Sequence, residues 1–256
     1  AASLGSLAAA SPEWLESLGW ARLDALRAMF LAYAALGIAG GVCYRLVPPG
    51  ADAVPERRSF ALGPSRAIVL KLAALFSIDA FAGGFAVQSL LALWLFTRFD
   101  LSLATAGSFF FASGILGAMS YPAAAWLSRR IGLLNTMVYT HIPSSLCLIG
   151  AALAADANLA LALLLARAAL SQMDVPTRSS YVMAVVTPAE RAAAASVTSV
   201  PRGLASAASP ALAGALLAAG YSAMPLVICG SLKIAYDLLL FRVFRGVKPP
   251  EEAVAG

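Results

Sequence analysis

The sequence predicts an all-α polytopic membrane protein with seven transmembrane helices, and two observations carry that expectation. Of its 256 residues, 61% are apolar and only 12% charged, with a mean hydropathy of +0.82. A water-soluble domain of this length needs a charged exterior, so lipid must cover part of this one. The apolar residues also gather into stretches that reach the roughly 20 residues a helix needs to cross about 30 Å of hydrocarbon. These run at Ala25–Tyr44, Ile68–Phe96, Leu103–Leu127, Leu133–Leu153, Leu159–Val186, Ala192–Ala219 and Ala223–Phe244. Strands fail as an alternative because membrane strands alternate in polarity, and a run such as Leu161–Leu170 does not.

The first span follows a segment, Ala1–Ala10, that lacks the basic region of a signal peptide. Because the chain opens on Ala1 rather than Met, it reads as part of a longer protein whose first helices are missing. After this span, Leu46–Ala67 carries Pro48, Pro49, Gly50, Pro55, Gly63 and Pro64 among mixed charges, the composition of a flexible linker. The expected organisation is therefore an N-terminal segment with one helix (1–45), a cytoplasmic linker (46–67), a six-helix bundle (68–246) and a cytoplasmic tail (247–256).

Loop charge sets the direction. Arg45, Arg57, Arg58, Arg66 and Lys71, then Arg129 and Arg130, then Arg191, then Arg242, Arg245 and Lys248 fall in alternate connections, whereas the opposite set holds Arg22, Arg27 and Arg98. By the positive-inside rule the C-terminus is cytoplasmic and the N-terminus outside. The Ala-rich composition suggests a bacterial inner membrane. The net charge of +5 sits between spans rather than on one soluble face, so nucleic acid is not an expected partner; lipid is. Cys43, Cys147 and Cys229 each lie inside a span with no CxxC pattern, and they read as small packing residues rather than metal ligands. No cofactor is expected.

Ionisable residues inside a span are costly, and they face a partner, a cavity or a pathway. In the second span Asp79 precedes Gly83-Gly84, a pair able to loosen the helix, and Gln88 follows as a further polar contact. In the fourth, His141 stands just before Pro143; a packed polar residue and a proton shuttle are both open readings. The fifth span buries Arg167, about 12 to 15 Å deep at the helical rise. Further along it, Asp174-Val175-Pro176-Thr177-Arg178 places opposite charges four apart, able to pair locally, with Pro176 marking a bend. That pair is either a candidate gate or a static strut. Arg202 follows Pro201 near the middle of the sixth span. Lys233 and Asp237 repeat the four-residue spacing in the last and are expected to neutralise charge internally. Asp79, Gln88, Arg167 and Arg202 are the candidate substrate or proton pathway, with Asp79 expected to couple to Arg202 or Arg167.

Three segments carry a resemblance to the major facilitator superfamily, which extends in layout over Ala25–Gly246. Ala125-Trp126-Leu127-Ser128-Arg129-Arg130-Ile131-Gly132-Leu133-Leu134 resembles the family loop G-x-L-x-D-R-x-G-R-R at Leu127, Arg130 and Gly132, with Arg129 in place of the acid. Arg167 followed by Thr187-Pro188-Ala189-Glu190-Arg191 is similar to the family's buried arginine and P-x-E-R turn, where Glu190 and Arg191 read as loop charges. Ser206-Ala207-Ala208-Ser209-Pro210-Ala211-Leu212-Ala213-Gly214 resembles G-x-x-x-G-P-x-x-G-G with small residues at the glycine positions, a pattern that favours close helix packing. The resemblance implies that the leading helix corresponds to the family's sixth and the following six to its C-terminal half, with the second span lining a transport cavity. It implies gradient-driven movement of a small solute by alternating access; protons as a coupling ion are an open reading of the charges around Asp79.

The competing expectation is a seven-helix receptor or retinal-type protein, whose topology is the same and which would use Lys233. An intramembrane enzyme is not expected: a single histidine rules out H-E-x-x-H, and neither a nucleophile pair nor a Walker loop is present.

Overall fold

The computed structural model describes residues 11–46 and 62–247. Most of the expected linker and nearly all of the expected tail lie outside the described residues. The helices are α1 (Ser11–Ser17), α2 (Arg22–Arg45), α3 (Arg66–Gly84), α4 (Gln88–Phe99), α5 (Leu103–Ile131), α6 (Leu133–Leu153), α7 (Ala157–Ser171), α8 (Asp174–Val185), α9 (Arg191–Ala218) and α10 (Met224–Phe244). A 3-10 turn, Pro188–Glu190, leads into α9, and no strand occurs among the described residues.

Among the described residues, six spans are long and apolar enough to cross a membrane: Arg22–Arg45, Arg66–Phe99, Leu103–Ile131, Leu133–Leu153, Ala157–Val185 and Met224–Phe244. The sixth expected span, Ala192–Ala219, forms α9, long enough at 28 residues but not apolar enough to count with them. Arg202 together with Ser196, Thr198, Ser199, Ser206 and Ser209 lowers its hydropathy.

Two of the six are interrupted, each where the sequence weakens the backbone ladder. After Gly84 the amides of Phe85 and Ala86 bond to carbonyls only three residues back, Val87 turns extended, and α4 starts afresh. The second break falls at Gln172 and Met173, between α7 and α8. Pro176, third residue of α8, has no N–H to offer the carbonyl four residues earlier, so the break precedes it.

The chain divides into two units. The smaller holds α1, α2 and residues 101–111 at the start of α5. Ser11 Oγ lies 2.7 Å from Met29 Sδ, and the Leu103 amide donates to Glu13 at 2.8 Å. Apart from Ala25, nearly every side chain of α2 is exposed.

In the larger unit, α3 packs most extensively on α9, and α6 lies between α10 and α7. Both principal contacts are close. A Cβ at Gly84 would stand 1.9 Å from Ser209 Oγ and 2.9 Å from the Ser206 carbonyl; one at Gly230 would stand 2.9 Å from the Ser145 carbonyl. The small residues of 206–214 thus act as a packing seam. The core gathers Leu72, Phe76, Met137, Tyr181, Tyr236 and Phe244, toward the end where α3 and α6 begin and α8 and α10 finish.

Two connections show what loop residues do. Gly132 takes φ +86°, a left-handed conformation that lets α5 reverse into α6 without a spacer. Beside it Arg130 lies 4.4 Å over the Trp126 ring and Arg129 bonds the Ala125 carbonyl. Glu190 is not a free loop charge as expected. It is 5% exposed and accepts from Ser65 Oγ and Thr187 Oγ1, each at 2.6 Å, and from the Gly63 amide. Those hydrogen bonds, Ser65's foremost, hold its carboxyl below the usual glutamate range. Arg191 bonds the Met183 carbonyl instead.

Candidate functional site

The buried charges expected from separate spans meet around Asp79. This residue lies on α3 one turn before Gly83, and both carboxylate oxygens are occupied. Arg178 Nη1, from α8, donates to Oδ2 at 2.9 Å, and Lys233 Nζ, from α10, donates to Oδ1 at 2.5 Å. Arg178 uses its second nitrogen on Asp174 Oδ2 at 2.9 Å, so the local pair expected from the four-residue spacing forms and is extended across the bundle. The guanidinium also stands 5.5 Å from the centre of the Phe76 ring.

His141 on α6 closes the other side. Its Nδ1 is 3.0 Å from Asp237 Oδ1, while its Nε2 is 3.4 Å from Lys233 Nζ and 3.9 Å from Asp79 Oδ1. An ammonium can only donate, so its contact requires Nε2 to accept. The tautomer that satisfies both contacts therefore carries its proton on Nδ1, facing Asp237. Asp237 is fully buried, and its Oδ2 has no hydrogen-bond partner among the described residues. The side chains form one relay: Asp174, Arg178, Asp79, Lys233, His141, Asp237.

A cavity of about 510 Å³ opens against this relay. Its wall includes Asp79, His141, Asp174, Arg178 and Lys233, with Ser144, Ser171, Ser199 and Ser206 adding hydroxyls. Both helix breaks border it, through Gly83, Gly84 and Val87 on one side and Ser171 and Gln172 on the other. The aromatic core, with Phe76 and Tyr236 in van der Waals neighbourhood at 6.4 Å between rings, backs the relay on its apolar side.

Against the sequence expectations, the structure keeps Asp79 as the centre but changes its partners. Arg167 and Arg202 line the same cavity without pairing with Asp79. Arg178 from α8 and Lys233 from α10 take that role, although Arg202 stands on α9, the helix packed most extensively on α3. Lys233 and Asp237 do not pair with each other: Lys233 turns to Asp79, and Asp237 to His141. Gln88 is exposed at the start of α4 and outside the cavity wall. His141 is the member whose role the sequence left open, and its only local signal was its isolation in an apolar helix.

No family model matches the chain. It is similar to an uncharacterized membrane protein of Saccharomyces cerevisiae, YJR124C, at 25% identity over 195 residues. This is a multi-pass helical membrane protein distantly related to that yeast protein. The similar stretch covers 75% of this chain and 44% of the yeast protein, so the chain matches less than half the length of its relative.

Proposed function

We propose that the chain is the seven-helix part, one leading helix and a six-helix half, of a major-facilitator-type secondary transporter that moves a small solute by alternating access. One observation carries this reading above the others: a charged cavity bordered by two interrupted spans. Interrupted helices free backbone groups and leave room at the depth where transporters bind their cargo. The three motif resemblances and the loop charge point the same way, and in this reading α9 answers to the sixth expected span, a helix that lines the polar wall rather than being uniformly apolar.

The relay supplies a coupling device. With His141 neutral, Lys233 donates both to Asp79 and to Nε2, and the cavity wall is locked through Asp79 to Arg178. A proton arriving on Nε2 makes the imidazolium a third donor toward Asp79 and repels Lys233, so the shared carboxylate must choose among three cations. Asp237, with one oxygen free of partners, accepts or returns the proton on Nδ1. This rearrangement loosens α10 and α8 from α3, the movement a rocking half needs.

The chain reconstituted in liposomes, with an imposed pH gradient and a panel of labelled small solutes, tests the reading. The expected result is accumulation of one solute class driven by the gradient and lost in Asp79→Asn. Uptake that persists in Asp79→Asn with unchanged pH dependence contradicts proton coupling through this relay. The retinal-type alternative draws support from the buried Lys233 beside a carboxylate; a visible absorption band that disappears in Lys233→Met would favour it instead.

A further inference from the structure

We propose that Arg167 and Arg202 form the binding site for a small organic anion bearing carboxylate or phosphate groups. This inference rests on the transport reading for its purpose but not for its physics.

The charges on the cavity wall divide into two groups. Asp79 and Asp174 are engaged by Arg178 and Lys233 at 2.5 to 2.9 Å, so the two carboxylates on the wall are matched by two cations. Arg167 and Arg202 remain, and neither guanidinium has a hydrogen bond or ion pair among the described residues, although both line the same cavity. Asp237 does not redress the balance: it lies outside the wall, and its engaged oxygen is held by His141. The wall therefore carries a surplus of two positive charges.

The settings of the two arginines differ from those of loop cations. Arg167 sits on α7 one turn before the break at Gln172, half-buried, and its carbonyl lies 3.5 Å from Ser144 Oγ. Arg202, exposed, sits eleven residues into α9, about 16 Å along the helix from its start at 1.5 Å per residue. A cation held unpaired within an apolar span, as Arg167 is, is costly, and Arg202 faces the same cavity from α9. Guanidinium forks match carboxylate and phosphate oxygens in pairs, which is the chemistry that would offset the cost. Ser199 and Ser206, each within four residues of Arg202, line the cavity beside it; their hydroxyls donate to the Ser196 and Gly203 carbonyls and would reach the same oxygens only by rotating away from them. The volume of about 510 Å³ falls in the range of small-molecule sites.

The test is direct binding to the full chain in phosphatidylcholine nanodiscs, with succinate and inorganic phosphate as anionic probes and tetraethylammonium as the cationic control. Saturable binding of at least one anion is expected, none of the cation, and a loss of about tenfold or more in either Arg167→Gln or Arg202→Gln, with partial recovery in the lysine variants. Unchanged elution and melting of the glutamine variants verify that they fold, since neither arginine holds another side chain. Repeating the titration in discs containing phosphatidylglycerol separates the sources: undiminished succinate or phosphate binding supports a soluble anion. Lipid binding at these arginines with no binding of either probe overturns the proposal, as does probe binding indifferent to both substitutions or no anion binding at all. Anion binding without gradient-driven uptake would leave this site standing and remove the transport reading. Uptake of an uncharged or cationic solute, unaffected at Arg167 and Arg202, would do the reverse.

Discussion

Two sets of charges face one cavity, and their settings are opposite. Asp79, Asp174 and Arg178 are buried, Lys233 is half-buried, and the four are bonded to one another across α3, α8 and α10. Arg167 and Arg202 are more open and carry no such partner. The difference teaches that charge inside a span has two uses. A paired charge ties helices together at the cost of desolvation, so removing one member strands the others. An unpaired charge ties nothing, and its removal should be felt only by whatever it binds.

The comparison can be broken most severely at Asp79. Asp79→Asn leaves Arg178 and Lys233 without their common counter-ion, and a loss of about 3–5 kcal/mol is expected in denaturant unfolding of the detergent-solubilised chain. Combining it with Lys233→Met should cost less than the two single losses added, because they share a contact. Strict additivity would mean that the pair contributes no coupling.

Next in size is the seam that lets α3 reach this position. In Gly84→Val the new side chain meets Ser209 Oγ and the Ser206 carbonyl, and overpacking of this kind costs about 1–3 kcal/mol. Ser209→Gly in the same chain should recover only part of the loss, since the backbone carbonyl remains.

A paired charge outside the spans gives the pH dependence. Glu190 binds its partners as a carboxylate, so its folded pKa lies below its unfolded value near 4.3. The stability it contributes is present above that value and disappears as pH falls through the folded pKa. Glu190→Gln should therefore lower the melting temperature at pH 7, with the gap to the unsubstituted chain closing below about pH 4. A gap that stays constant across this window would assign the effect to shape rather than charge.

The smallest effects belong to the other set. Arg167→Gln and Arg202→Gln should change unfolding stability by less than about 0.5 kcal/mol while removing anion binding. A large loss of stability in either would move that arginine into the paired group.

How much of this was legible in the sequence follows the range of the interactions. Span positions came from composition, the break after Gly84 from two adjacent glycines, and the Asp174–Arg178 pair from helical spacing; all are local. The partners of Asp79 were not legible, because Arg178 and Lys233 lie 99 and 154 positions away and nothing local distinguishes them from Arg167 or Arg202. Glu190 was misread for the same reason, two of its partners, Ser65 and Gly63, lying 125 and 127 positions earlier, with only Thr187 local. The shortfall of α9 in apolarity was open to reading, since Arg202 and its hydroxyls are in plain view; its length concealed their weight.

Cysteine accessibility tests the central claim, that the cavity beside the Asp79 relay is a solute path open alternately to each side of the membrane. In a background with Cys43, Cys147 and Cys229 replaced by alanine, Ser171→Cys and Ser199→Cys place thiols on the cavity wall. Sealed vesicles of both orientations are then treated with a membrane-impermeant maleimide. The account predicts labelling of each thiol from both sides. Labelling from one side only, or from neither, would contradict it.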